Sequence, residues 1–234
     1  MDTARRLGEH YRHGTLEAVV LEALRAAGKD PDRLAPGDAM GADEFHTGGP
    51  AATRDVMAQL PLGPGVHVLD IGSGLGGPAR HMAVATGCRV TGIDLTAEYV
   101  DVANSLSRRM GLAGRVVFRC EAAEGMAVPP EVLQAGGFDV ATMLHVGMNI
   151  ADKAGVFAAV RRALKPGGVF AVYDLMRVGA GDITYPMPWS SVAESCFVEG
   201  PEAYRAALAA AGFAVTAERD RTDFVLDSFA AGRA

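Results

Sequence analysis

Residues 68–83, VLDIGSGLGGPARHMA, constrain this chain more than any other stretch. An apolar run ends at Asp70 and Ile71, glycines follow at 72, 74, 76 and 77, and a helix-forming segment closes the unit. A turn of this kind leads from a buried strand into a helix. It aims backbone N–H groups at the carboxyl edge of a sheet, where open α/β folds bind ligands. Glycines there permit positive φ and omit Cβ atoms that would block a ligand. Pro78 is tolerated because it falls in the first helical turn.

The rest of the chain repeats the strand-then-helix unit. Apolar runs predict strands at 66–71, 89–94, 115–119, 138–144, 169–174 and 213–218. Helical spacing predicts helices at 78–86, 97–110, 153–164 and 202–211. Alternation of this kind implies parallel β-α-β units with right-handed crossovers, a doubly wound α/β domain. Ahead of it, residues 1–35 read as helix, with Leu16, Val19, Val20, Ala23, Leu24 and Ala27 on one face and Gly28 ending it. A loop rich in Gly, Pro and Asp and a second helix at 53–60 follow. The expected organisation is a helical N-terminal cap at 1–60 and a main domain at 61–234. An irregular insertion at about 176–201 is expected to cover the ligand side. The last residues, FVLDSFAAGRA, read as the start of a further element, as in a chain that continues.

Composition excludes several function classes. The 234 residues are 49% hydrophobic with a net charge of −6 and no basic run, so no nucleic-acid partner is expected. No apolar stretch approaches the roughly 20 residues that span a bilayer, and the N-terminus lacks a signal peptide's apolar centre. Cys88, Cys120 and Cys196 lie far apart, so no disulfide framework is expected and the default location is cytoplasmic. No group of His, Cys or carboxylates has metal-ligand spacing, so no metal is expected. Oligomeric state is not legible.

The glycine turn admits two parses. Asp70-x-Gly72-x-Gly74-x-Gly76 is one, and Gly72-x-Gly74-x-x-Gly77, the dinucleotide fingerprint, is the other. Asp94 closes the second strand about 20 residues on in both cases, placed to accept hydrogen bonds from an adenosine ribose. NAD and S-adenosylmethionine both satisfy this. Asp70 favours the second ligand, because a carboxylate suits a sulfonium and an ammonium better than a pyrophosphate. No Ser…Tyr-x-x-x-Lys constellation for hydride transfer is present. The readings left open are a methyltransferase, an NAD-dependent oxidoreductase and a non-catalytic S-adenosylmethionine-binding module.

The same residues resemble the Rossmann-like S-adenosylmethionine-dependent methyltransferases. The matching motifs run in order: VLDIGSGLGG (68–77), GIDLT (92–96), FDVATMLHV (138–146) and LKPGGVFAVYDL (164–175). The resemblance implies a mostly parallel seven-stranded sheet and a cofactor site of Asp70, Gly72, Ser73, Gly74, Gly76, Asp94, Leu95, Ala122, Ala123 and Leu144. DEFHTGGPAAT (43–53), HVGMNIADK (145–153) and YPMPW (185–189) are similar to small-molecule enzymes near the sarcosine and dimethylglycine N-methyltransferases, and more distantly to tocopherol and sterol C-methyltransferases. That subgroup often has Gln where Leu144 stands, and Gly-Asp-Ala where CEAAE (120–124) stands. Methyl transfer to a small molecule, an amine first and an oxygen or carbon nucleophile second, is the implied activity. His145, after the fourth strand, is the candidate for substrate binding or proton removal. Tyr11, His46, Met148, Asn149 and Trp189 are candidate substrate contacts, Trp189 through cation–π attraction to a methylated ammonium. His10, His13, His67 and His81 read as surface residues.

Overall fold

The computed structural model describes residues 16–39 and 43–231. Its elements are α1 (Leu16–Ala26), α2 (Gly49–Met57), β1 (His67–Ile71), α3 (Gly77–Thr86), β2 (Arg89–Asp94), α4 (Ala97–Arg109) and β3 (Val116–Cys120). Then come α5 (Pro130–Gln134), β4 (Phe138–Leu144), α6 (Lys153–Ala163), β5 (Leu164–Tyr173), α7 (Pro201–Ala210) and α8 (Thr222–Ala231). The strands form one parallel sheet in the order β3-β2-β1-β4-β5.

β1 is central and buried on both faces because its successive side chains are apolar on both sides. Val68 joins a core with Leu75, Val90, Leu106 and Phe118, closed by α1, α3 and α4. Leu69 and Ile71 join Phe138, Met143, Phe157 and Tyr204 under α6 and α7. Register sets the site. Asp70 lies opposite Gly92 on one side and Thr142 on the other, and Leu144 lies opposite Tyr173.

The structure corrects two expectations of the sheet. The described residues form five strands, not seven. Residues 213–218 make no strand: Phe213 buries its ring against Phe170 at 5.4 Å, while Val215 is left exposed. An alternating pattern becomes a strand only beside an available ladder, and nothing among the described residues pairs with the outer edge of β5. The final segment forms α8. Among the described residues the first helix runs Leu16–Ala26 and stops before Gly28; Tyr11 lies outside the described residues.

α1 docks on the flank of α4. Leu16 N–H donates to Glu98 at 3.0 Å and the Ser105 hydroxyl to Glu17 at 2.5 Å. The second helix starts at Gly49 rather than Thr53, with a proline in its first turn after Gly48.

Candidate active site

The turn after β1 is held from behind. Ser73 N–H donates to Ile93 O, and Gly74 N–H donates to Asp94 Oδ2 at 2.9 Å. Gly74 has φ 53°, and a Cβ there would meet nothing within 4 Å, so its face is open for a ligand. Gly77 differs. A Cβ on it would lie 2.4 Å from the Asp43 carbonyl and 2.5 Å from Glu44 Cγ. The fourth glycine therefore makes room for the chain's own 43–44 segment. In the dinucleotide fingerprint the glycine at this place lets helix and strand pack closely; here it faces the carbonyl of a separate loop.

Two carboxylates flank this turn. Asp94 accepts from Gly74 N–H and, through Oδ1, from Thr96 N–H at 2.9 Å. Burial pushes its pKa up against those bonds, and each oxygen keeps a lone pair for a ribose hydroxyl. Asp70 is 2% exposed. Thr142 donates to its Oδ1 at 2.7 Å, and its Oδ2 is buried without a partner. Burial carries its pKa up to about 7, and the charges of Asp94 and Glu44 add to the shift. A buried, half-satisfied acid in an acidic field is a receptor for a cation.

Leu95 is exposed beyond Asp94, and Ala122 is exposed and Ala123 half-buried beyond β3. The Cys120 thiol bonds the Leu95 carbonyl at 3.6 Å and links the two loops. Glu121 pairs with Arg119 and accepts from Ala127 N–H, so its carboxylate is occupied. Ser73 is buried, with its hydroxyl unpartnered.

Beyond Leu144 the chain kinks: His145 has φ 57°, the only positive φ outside glycine among the described residues. Such a conformation costs about 1–3 kcal/mol and persists where surroundings impose it. Here His145 N–H donates to the Tyr173 carbonyl at 2.8 Å, and the imidazole stacks on the Tyr173 ring at 5.4 Å and 28°. His46 meets both rings edge-on, at 6.1 and 6.2 Å.

The two imidazoles differ electrically. Burial and then the neighbouring His46 carry His145 down to about 4, so it is neutral at neutral pH. Burial also lowers His46, but the Glu44 carboxylate, 3.8 Å away, opposes the shift. His46 Nε2 lies 2.9 Å from Gly49 O and 3.0 Å from the Thr53 hydroxyl, which itself donates to Glu44 Oε2 at 2.5 Å. Burial raises Glu44, yet hydrogen bonds from His81 and Thr53 outweigh it and hold the group low. Of the two, His46 has the counter-charge for a proton.

A further carboxylate braces the following loop. Asp174, at the end of β5, accepts from Gly147 N–H at 2.7 Å and from the Tyr204 hydroxyl at 2.8 Å. Burial carries it up to about 6 against those bonds. Met148 is buried, and Asn149 is half-buried with its Oδ1 unpartnered. The insertion returns onto this loop: Phe197 N–H donates to Met148 O, and the buried Lys153 ammonium caps the carbonyls of Ile150 and Phe197.

The structure thus brings His46 and His145 together, sets Met148 and Asn149 in the adjoining loop, and places Asp70, Asp94 and the glycines at one sheet edge. Trp189 is half-buried and donates to Cys196 within its own insertion at 3.3 Å. His81 is not a surface residue: it is buried, 3.2 Å from Glu44. His67 is half-buried against Thr91 at 2.9 Å. Sequence reasoning missed Glu44, Thr47, Tyr173 and Asp174 as parts of the site. The 43–53 and 164–175 motifs contain all four, but only the fold shows that they meet.

A parallel sheet with a glycine turn and buried carboxylates at its carboxyl edge defines a class, the Rossmann-like ligand-binding domains. Comparison with known proteins narrows the class: residues 69–172 match the family described as Methyltransferase domain. A sterol 24-C-methyltransferase of Eremothecium gossypii is 33% identical over 162 residues, 67% of this chain and 42% of that protein. The chain spans less than half the length of this and similar curated relatives. Among solved structures, the [4+2]-cyclase SpnF superposes with a TM-score of 0.62 at 26% identity, covering 85% of this chain and 70% of that one. Haemonchus contortus phosphoethanolamine N-methyltransferase 2, in complex with S-adenosyl-L-methionine, superposes with a TM-score of 0.65 at 25% identity. That match covers 82% of this chain and 43% of that one.

Proposed function

We propose that this chain transfers the methyl group of S-adenosylmethionine to a small molecule, and that the acceptor is an amine. The observation that carries the donor assignment is the acidic edge behind Gly74. Asp94 and Glu44 both add negative charge to the field at Asp70, and no cation is among the groups that shift it. That edge repels a pyrophosphate and receives an ammonium and a sulfonium. The residues present fit the cofactor. Gly74 leaves open space, Asp94 takes the ribose hydroxyls, and Leu95, Ala122 and Ala123 provide surface for the adenine. Leu144, Gly72, Ser73 and Gly76 complete the wall. The bound cofactor supplies the electrophilic methyl; the protein supplies alignment and a dry site.

The amine assignment rests on basicity. An imidazole carried down to about 4 is a poor base for a phenol or a carbon acid. A neutral amine brings its own lone pair and sheds a proton only after the methyl has moved. We assign His145 to orienting the acceptor, and His46, with Glu44 behind it, to holding the proton released. Met148, Asn149 and Trp189 belong to the substrate side of this reading, under a cap whose described part is residues 16–39 and 43–60.

Turnover of labelled methyl donor over a panel of amines, phenols and quinols tests the proposal. Transfer to amines alone supports it; transfer only to oxygen or carbon acceptors replaces the amine. The likeness to a cyclase favours one second reading, a cofactor-binding domain that closes rings without methyl transfer. Tight S-adenosylhomocysteine binding without transfer to any acceptor would favour it. In the same assays His145→Ala is expected to lower turnover by more than tenfold, as for loss of a group that aligns the reacting atom. It should leave S-adenosylhomocysteine affinity within about twofold of wild type, a shift under about 0.5 kcal/mol.

A further inference from the structure

Tyr173 touches His145 at two points and Thr47 at a third. Its carbonyl accepts the His145 N–H at 2.8 Å, its ring stacks on the imidazole, and its hydroxyl donates to Thr47 O at 3.0 Å. Thr47 in turn points its own N–H at His145 Nδ1, 3.5 Å away. The loop of contacts runs from β5 to the 43–49 segment and back to the end of β4. An imidazole whose Nδ1 accepts a hydrogen bond carries its neutral proton on Nε2.

We infer that Tyr173 is a positioning residue that, through Thr47, fixes His145 as its Nε2–H tautomer and so makes it a hydrogen-bond donor toward substrate. This rests on the reading of His145 as the group that orients the acceptor. It deepens that reading in one respect. A donor at this place meets an acceptor, and an amine lone pair held by a hydrogen bond cannot attack. The substrate therefore carries an oxygen acceptor, such as a carboxylate or hydroxyl, besides the amine to be methylated. Seating of the 43–49 segment and orientation of the imidazole are then one event, since Thr47 supplies the link.

The test uses Tyr173→Phe, which keeps the ring and removes only the hydroxyl. Side-chain nitrogen NMR of histidine-labelled full-length protein, with His145 assigned from His145→Gln, reads the tautomer directly and needs no substrate. The wild type is expected to show His145 as the Nε2–H form, and Tyr173→Phe a mixture of both tautomers. With an amine found in the acceptor screen, kcat of Tyr173→Phe should fall about tenfold while KM for the methyl donor stays within about twofold, as for a misaligned reacting group. Thr47→Pro, which deletes the N–H, should reproduce the tautomer mixture. An unchanged His145 spectrum in Tyr173→Phe overturns the inference, as does a mixed tautomer with wild-type kcat. If the wild type methylates no amine, the amine reading fails while the NMR result still decides the tautomer.

Discussion

Asp70 shows how much a single residue type can decide. Two residues before the first glycine, a carboxylate reads as awkward for a pyrophosphate, and the fold sharpens that into an electrostatic statement. Register puts Thr142 on one oxygen and leaves the other buried and bare. With its pKa carried up to about 7, Asp70 is protonated in the ligand-free protein below that pH. A bound cation favours the carboxylate and brings its pKa down, so binding expels a proton. Calorimetry of S-adenosylmethionine binding at pH 6, in two buffers of different ionisation enthalpy, should therefore show proton release, and Asp70→Asn should show none. Affinity should rise as pH climbs from about 4 to 7 and level off above. The ligand-free fold follows the opposite sign. Asp70 and Asp174 hold protons more tightly folded than unfolded, so stability falls as pH rises across the same window. The two histidines separate in the same way. His46→Gln keeps a hydrogen-bonding side chain but cannot take up a proton, so its kcat deficit should be largest near neutral pH and shrink as acid protonates the wild-type imidazole.

At the scale of elements, the β1–α3 turn was legible as a strand–glycine–helix unit, and β2 and β4 fall where their apolar runs predict. The roles of individual glycines were not legible, because spacing cannot tell a residue that faces a ligand from one that faces another loop. Gly74 and Gly77 separate these cases. Gly74→Ala places a Cβ in open space at φ 53°, so it should weaken donor binding with a modest loss of stability. Gly77→Ala drives a Cβ into the Asp43 backbone, which should cost about 1–3 kcal/mol of stability by chemical denaturation. Donor affinity of the folded fraction should change little. Equal effects of the two on affinity would show that both face the ligand. The 213–218 segment marks the same limit from another side: its alternation is real, but a strand also needs a partner, which lies outside any local pattern.

At the scale of the whole molecule, the N-terminal part and the α/β domain join through a buried polar seam that composition conceals. Arg80 is 1% exposed, donating to Asp43 at 2.7 Å and to the Leu75 carbonyl at 2.6 Å, and it also reaches Ala103 O. One helical position along, His81 meets Glu44, whose other oxygen takes the Thr53 hydroxyl. A sequence reader sees Arg80 and His81 as polar residues on a helix, since their partners lie 37 positions away. The seam binds segment 43–53 to the floor of the glycine turn, so stability and ligand binding share it. Arg80→Met would leave the Asp43 carboxylate buried and unpaired, and removing one partner of such a pair costs about 3–5 kcal/mol. Thermal and denaturant unfolding should register that loss. Because Arg80 also holds Leu75, inside the turn, donor affinity should fall with it. Adding Asp43→Leu removes the stranded charge, so the double variant should regain much of the stability. Affinity should stay low, because nothing then anchors the turn to the segment above it. Recovery of both quantities together would show that the seam serves folding alone.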